Sequence, residues 1–455
     1  MSSAFTDIDG LRHGDRTLVL KPMLKTVLEP RDADAILAEA VGLAQAIDLK
    51  VVAAAVVNVS KPAPATLLGS GQVEHYESFI ADNKITLAVI DHALVPVQQR
   101  NLEKNWKCKV IDRTGLILEI FGERARTKEG QLQVELAALS YQKSRLVRSW
   151  THLERQRGGF GFLGGPGESQ LEMDRRMING RISKIKDELK NVRRTRGLQR
   201  EARQRAEHPT IAMVGYTNAG KSSLFNRLTG ADVLAKNMLF ATLDPAMRGI
   251  KLPGGREAIL SDTVGFISDL PTHLVEAFRA TLEEVQRADL ILHVRDSVHP
   301  ETRSQRDAVL EVLADLDIEP DDERIIEVFN KIDLLPEEDR QNLREFISRS
   351  AWDSEHAPRY LQGIRQSALG GSVAVSALSG EGINDLLELL SERLAAHQQA
   401  YDIELQLSDG AALAWLYAHG KIVNRKDGKK AMLVQVLLDD INYERFQKRF
   451  QKNKR

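Results

Sequence analysis

Eight consecutive residues, Gly215-Tyr216-Thr217-Asn218-Ala219-Gly220-Lys221-Ser222, set two glycines, a lysine and a hydroxyl in the spacing G-x-x-x-x-G-K-[ST]. Such a loop suits phosphate chemistry. Its glycines let successive backbone N–H groups turn inward around anionic oxygens, and the helix that follows adds partial positive charge at its N-terminus. Here the loop follows the apolar run TIAMVGY and opens the helix that continues through Ser223 into SLFNRLTG, which is the context the mechanism needs. Lys221 is expected to reach the β- and γ-phosphates of a nucleotide, and the Ser222 hydroxyl to ligate Mg²⁺.

Base identity is carried further along. Asn330-Lys331-Ile332-Asp333 follows the apolar strand RIIEVF. The Asp333 carboxylate can accept from both the imino and the exocyclic amino group of guanine. Adenine offers no such pair, so a carboxylate left half unpaired rejects it. Asn330 can hold the loop and the N7 edge, and the Lys331 stem can pack on the base. Ser376-Ala377-Leu378, after the strand GSVAV, is expected to supply a backbone N–H towards the guanine carbonyl. The predicted ligands are GTP and GDP.

Two segments between these are placed to sense the γ-phosphate. Asp262-Thr263-Val264-Gly265 follows the strand EAILS. Asp262 can hold Mg²⁺ through water, and the Gly265 N–H can face the γ-phosphate. Upstream, Phe240-Ala241-Thr242-Leu243-Asp244 offers Thr242 as a second Mg²⁺ ligand. Lys221, Thr242 and Gly265 are therefore the expected catalytic groups. The residue after Gly265 is Phe266, where Ras-like GTPases place a glutamine that orients water. Phenylalanine cannot do so, and slow intrinsic hydrolysis is expected unless another group enters. Asn218 either braces the loop or, as in GTPases with a similar loop, helps to hold a monovalent cation such as K⁺.

These motifs need a framework, and the hydropathy pattern describes one. The reading is an α/β protein: an N-terminal α/β domain (1–130), a long antiparallel helical hairpin (131–206), a P-loop GTPase domain (207–398) and a small C-terminal α/β module (399–455). TLVLKP, KVVAAAVVNV, ITLAVID and CKVIDRT read as buried strands, with helices near 33–47 and 73–82 between them, which implies a parallel sheet. Leu132, Leu136, Leu139, Leu146 and Leu153 keep heptad spacing, as do Leu171, Ile178, Ile182, Ile185, Leu189 and Val192. Six glycines and a proline between Arg155 and Gln170 interrupt them and read as the hairpin tip. The C-terminal module reads as the strand DIELQL, a helix over 411–419, the strand AMLVQVLL and a basic helix.

Bulk composition limits the function classes. A chain of 455 residues with 42% hydrophobic and 28% charged residues exceeds one core but is otherwise ordinary for a globular protein. No apolar run suits a bilayer span, and the polar, acidic N-terminus does not read as a signal peptide. The single Cys108 has no disulfide partner within the chain. A cytoplasmic monomer is expected. The net charge of −1 conceals a basic stretch: Tyr141 to Glu207 holds 17 Lys and Arg against 8 Asp and Glu, and Ile441 to Arg455 holds six against one. Two such segments on a neutral chain point to a polyanionic partner.

Several stretches together carry a resemblance. RTGLILEIFGERARTKEGQLQVELAAL, GPGESQLEMDRR, Phe240-Ala-Thr242-Leu-Asp-Pro and Asp262-Thr-Val-Gly-Phe266 resemble the HflX family of ribosome-associated GTPases over nearly the whole chain. Two departures are visible: Ser169 stands where Thr is commoner, and Phe160 and Phe162 stand where aliphatic residues are usual. The resemblance implies binding to the large ribosomal subunit and its rRNA, with a role in splitting or rescuing stalled ribosomes or in subunit biogenesis. It directs the hairpin tip, with Arg155, Arg157, Phe160 and Phe162, at ribosomal RNA, where cations meet phosphates and aromatic rings stack on unpaired bases. The competing reading is a regulatory GTPase whose hairpin meets a non-ribosomal protein. An RNA-remodelling ATPase is weaker, since no second phosphate loop is found.

Overall fold

Three sheets organise the chain in the computed structural model, which describes residues 13–25, 31–156, 166–204, 208–231, 239–240, 243, 246–268, 282, 284–348, 371–395, 399–428, 431–438, 443 and 445–451. The first sheet holds β1 (Arg16–Leu24), β2 (Lys50–Val59), β3 (Leu87–Ile90) and β4 (Lys109–Asp112), parallel and in the order β2-β1-β3-β4. Helices α1 (Ala33–Gln45), α2 (Ser70–Asp82) and α3 (Pro96–Trp106) make the crossovers, and α4 (Arg113–Arg124) follows the last strand. Strand β1 is buried along most of its length, which explains its continuous apolar run. The expected strand CKVIDRT is shorter than read: Arg113 and Thr114 open α4. The Asp112 carboxylate caps the helix by accepting from the Gly115 N–H at 2.8 Å, which fixes the boundary.

Two long helices follow, α5 (Lys128–Gln156) and α6 (Pro166–Gln204). Leu132 and Leu136 bury against Ile185 and Leu189, with Leu139 and Ile182 alongside, and Arg181 pairs with Glu135. Low residues of one helix meet high residues of the other, so the pair is antiparallel, as the heptads predict. The expectations for the side chains of Leu146, Leu153, Leu171, Arg155, Arg157, Phe160 and Phe162 lie outside the described residues.

The central sheet holds β5 (Thr210–Gly215), β6 (Ala246–Lys251), β7 (Glu257–Asp262), β8 (Leu290–Asp296), β9 (Ile325–Asn330) and β10 (Ser372–Ala374) in the order β10-β9-β8-β5-β7-β6. All run parallel except the edge strand β6. Helices α7 (Lys221–Thr229), α8 (Thr302–Ala314), α9 (Glu337–Ser348) and α10 (Ile383–Ala395) belong to this region. Parallel strands place their C-terminal ends on one edge, where ligands of open α/β sheets bind. A third sheet, β11 (Gln399–Gln406), β12 (Lys421–Asp427) and β13 (Ala431–Leu438), is antiparallel in the order β11-β13-β12, with α11 (Gly410–His419) against it. The strand β12 is additional to the expected elements, and the described part of the basic C-terminal segment includes a short π-helical turn over Gln447–Gln451. Among the described residues no helix is long and apolar enough to cross a membrane.

The first two sheets share a core. One buried apolar cluster runs from Val19, Leu43, Ile117 and Phe121 into Val214, Phe240, Phe266 and Val309. The N-terminal sheet is thus packed on the residues that flank the phosphate loop.

Candidate nucleotide site

The phosphate loop leaves the C-terminal end of β5, the strand at the middle of the central sheet. Lys221 is buried, and its Nζ donates to the carbonyl oxygens of Gly215 at 2.9 Å and Tyr216 at 2.8 Å. Burial pushes its ammonium down to about 8, against the opposing pull of the Asp262 carboxylate. A desolvated cation facing two neutral acceptors favours the arrival of an anion. The Ser222 hydroxyl donates to Asp262 Oδ2 at 3.0 Å, so the end of β7 meets the start of α7. This hydroxyl–carboxylate pair is an all-oxygen donor set, which fits a small, hard divalent cation.

Close approach dictates the glycines here. A Cβ on Gly265 would lie 2.9 Å from Thr217 Cγ2 and 3.1 Å from Lys221 Nζ. Any side chain there would press into the phosphate loop. Gly220, at φ +93°, would place a Cβ 2.2 Å from Asn330 Nδ2. Asn218 also takes a positive φ, 60°, in a region asparagine tolerates better than most residues. Thr263 Oγ1 donates to the Met213 carbonyl at 2.6 Å, which ties the segment after β7 back to β5. Val264 is buried, and Ser223 is exposed on α7.

Phe266 completes a short ladder with the loop: its N–H donates to the Gly215 carbonyl at 3.1 Å, and its carbonyl accepts from Thr217 at 2.8 Å. Its ring is only 2% exposed and belongs to the core shared with the N-terminal sheet. The position expected to lack a water-orienting group is occupied by a packing residue.

Beyond the phosphate loop, Asn330 bridges two loops. Its Nδ2 donates to the Ala219 carbonyl at 2.9 Å, and its Oδ1 accepts from the Ala377 N–H at 3.0 Å. Asn330 is buried at the end of β9, so this link is fixed. Lys331 adopts φ 66° and its Nζ pairs with Asp296 at 2.7 Å, which lays its stem along Gly220. Ile332 is buried, and Asp333 follows it in a single helical turn whose carbonyl accepts from Arg340. Ser376 is fully buried, its Oγ accepting from the Ser379 N–H at 3.0 Å, whereas Leu378 is exposed. The loops carrying Ala219, Asn330 and Ala377 thus meet at one side chain.

Phe240 and Leu243 are buried against the N-terminal sheet. Phe240, at φ 54°, packs edge-to-face on Phe121 with ring centroids 4.8 Å apart, and full burial of such a ring is worth roughly 1.5–3 kcal/mol. Ala241, Thr242 and Asp244 lie outside the described residues.

A buried polar seam also reaches the loop. The Tyr216 hydroxyl donates to Glu39 at 2.6 Å and accepts from the Ser268 N–H at 2.9 Å. Arg113 donates to Glu39 and to Asp91, each at 2.6 Å, and to the Ser268 carbonyl at 2.9 Å. Arg31 joins Glu39 at 2.9 Å to Glu301 at 2.6 Å. Burial alone would raise the Glu39 carboxyl, but the guanidiniums of Arg113 and Arg31 hold it below the usual carboxylate range.

Four family models match segments between residues 34 and 454. A GTP-binding GTPase N-terminal region matches residues 34–122, and a GTP-binding GTPase middle region matches 124–203. A 50S ribosome-binding GTPase domain matches 210–331, and an HflX C-terminal domain matches 364–454. The GTPase HflX of Magnetococcus marinus is 49% identical over 416 residues, covering 91% of this chain and 90% of that protein. The chain belongs to the HflX GTPase family. The Escherichia coli GTPase HflX is 42% identical over 382 residues, covering 83% and 84% of the two chains. Among solved structures, a GTP-binding protein of Sulfolobus solfataricus in complex with GDP aligns with a TM-score of 0.42 at 24% identity, over 84% of this chain and 99% of that one.

As an HflX GTPase the protein binds GTP and hydrolyses it. The structure brings Lys221, Ser222, Asp262, Asn330 and Ala377 together, as their motifs lead one to expect, and adds residues around them that the motifs do not mark. Asp296 had a legible signal, an acid closing the apolar strand β8 on the ligand edge. Glu39, Arg31, Arg113, Ser268 and Glu301 had none, being isolated residues on separate elements.

Proposed function

We propose that this HflX GTPase acts on the large ribosomal subunit, binding its rRNA in the GTP state and working in translation, in the splitting or rescue of stalled ribosomes, or in subunit biogenesis. The observation that carries the reading is the match of residues 210–331 to a 50S ribosome-binding GTPase domain. The net charge of +9 between Tyr141 and Glu207 suits an RNA surface, since each cation can displace a phosphate counterion.

In this reading Lys221 and the inward N–H groups of Gly215–Ser222 bind the β- and γ-phosphates. Asp333 selects guanine, with Asn330 and Lys331 bracing the loop beneath it. Ser222, Thr242 and Asp262 would hold Mg²⁺, Asp262 through water. The bound ion would neutralise charge shared between the β- and γ-phosphate oxygens. The Gly265 N–H faces the γ-phosphate and Thr242 closes on it, so loss of that phosphate releases both segments. Because Phe266 is locked in the core, turnover is slow until a large partner supplies order. The domain limits proposed are 1–130, 131–206, 207–398 and 399–455, in a cytoplasmic protein.

Sedimentation with purified subunits tests the proposal. The chain should travel with large subunits in a non-hydrolysable GTP analogue and mostly stay behind with GDP or with small subunits. Equal recovery in all four cases would contradict it.

A further inference from the structure

The base loop is held from a direction that no motif describes. Arg227 lies in the last turn of α7, the helix whose first residues are Lys221 and Ser222. Its Nε donates to the Ala377 carbonyl at 3.0 Å, and its Nη2 donates to the Leu378 carbonyl. The same guanidinium stands beside Gly380, where an added Cβ would lie 3.7 Å from Arg227 Cζ. One short helix therefore carries phosphate-facing groups at its start and a two-pronged hold on residues 377 and 378 at its end.

Peptide geometry turns this hold into a statement about specificity. A trans peptide points its C=O and the next N–H in opposite directions. With the Ala377 carbonyl drawn towards α7, the Leu378 N–H must point away from it. The Ala377 N–H is already donated to Asn330 Oδ1. The Leu378 carbonyl is likewise drawn to Arg227, and the next N–H, of Ser379, is spent on Ser376 Oγ. Of these three successive amides, the one at Leu378 is aimed by Arg227.

We infer that Arg227 is a positioning residue that sets guanine-over-adenine selectivity by fixing the direction of the Leu378 N–H. This rests on the reading of Ser376–Leu378 as the loop facing the base carbonyl. A donor at that point pairs with the O6 acceptor of guanine and meets the N6 amino group of adenine as donor against donor. The role is separate from that of Asp333, which reads the imino and 2-amino groups. α7 acts as a ruler between the two ends of the ligand: six residues from Lys221 to Arg227 span roughly 9 Å of helix.

The test is competition binding of GDP, IDP and ADP against a fluorescent GDP analogue, on the full chain and on Arg227→Ala and Arg227→Lys. IDP keeps the base carbonyl and lacks the 2-amino group. In Arg227→Ala the GDP-to-ADP affinity ratio should fall roughly fivefold, the weight of one oriented hydrogen bond, while the GDP-to-IDP ratio stays as in the parent. Arg227→Lys, which can reach one carbonyl only, should fall between. A merely structural role would weaken all three ligands alike and leave both ratios unchanged, which would overturn the inference. Failure of the underlying reading looks different: 6-thioguanosine diphosphate, which keeps the imino and 2-amino groups but offers only a weak acceptor at position 6, would bind the parent chain as tightly as GDP. Alanine favours helix, so α7 should persist, and matched thermal unfolding of parent and variants checks it.

Discussion

Two buried charged groups, one in the phosphate loop and one in the seam beside it, are satisfied in opposite ways. Along the seam, Glu39 meets the guanidiniums of Arg113 and Arg31 and the hydroxyl of Tyr216, and these partners hold it ionised in spite of burial. In the loop, Lys221 meets two neutral carbonyls, and burial drags its ammonium down to about 8. A buried charge balanced by its neighbours is architecture. One bonded to neutral groups is open to an anion from outside, and under the proposed function that one is Lys221, whereas Glu39 is scaffold.

The contrast can be broken by truncation. Arg113→Ala removes one side of a largely buried ion cluster and should cost about 3–5 kcal/mol of stability, read as the denaturant midpoint of the ligand-free protein. Lys221→Ala should leave that midpoint where it is or raise it, since it deletes a strained cation. The same change should weaken GDP and GTP by roughly a hundredfold or more in a calorimetric titration, because a buried phosphate contact is lost. If Lys221→Ala destabilised the empty chain as much as Arg113→Ala, the distinction would fail.

Base selection sharpens the comparison at a smaller scale. Asp333→Asn exchanges an acceptor pair for one donor and one acceptor. It should lose guanine affinity about tenfold or more and gain tolerance for xanthosine diphosphate, with stability unaltered. Unchanged GDP binding would remove Asp333 from the site.

The smallest effect is one of pH. Glu39 has a folded-state pKa below its ordinary value of 4.5. A carboxyl held down in the folded state contributes stability that is fully present above that value and is lost as pH falls through the folded pKa. The melting-temperature gap between the parent and Glu39→Gln should therefore be constant from neutral pH to about 4.5 and narrow below it. A gap that widened in acid would contradict the assignment of Glu39 as an ionised strut.

The same contrast explains what could be read from the chain. The phosphate loop is eight contiguous residues whose chemistry depends on spacing, and Asn330–Asp333 is four more after an apolar strand. Both were legible, as were the parallel strands β1 to β4 and the seam of leucines and isoleucines between α5 and α6. The strut was not, because Glu39 and Tyr216 stand 177 positions apart and Arg31 and Glu301 stand 270 apart. Strands β6 and β12 escaped for another reason: both are sheet edges, rich in exposed polar residues, and lack the apolar run that marks a buried strand. Phe266 was legible as the absence of a glutamine. That its ring is locked into a core shared with the N-terminal sheet required the three-dimensional structure.

That locked ring leads to the central claim, a GTPase whose chemistry waits for a large partner. The most direct measurement is phosphate release by the full chain under single-turnover conditions, with and without purified large ribosomal subunits. The expected result is slow release alone and at least a tenfold acceleration with subunits, about 1.4 kcal/mol off the barrier. The contradicting result is one rate in both cases, with the protein bound to the subunits throughout.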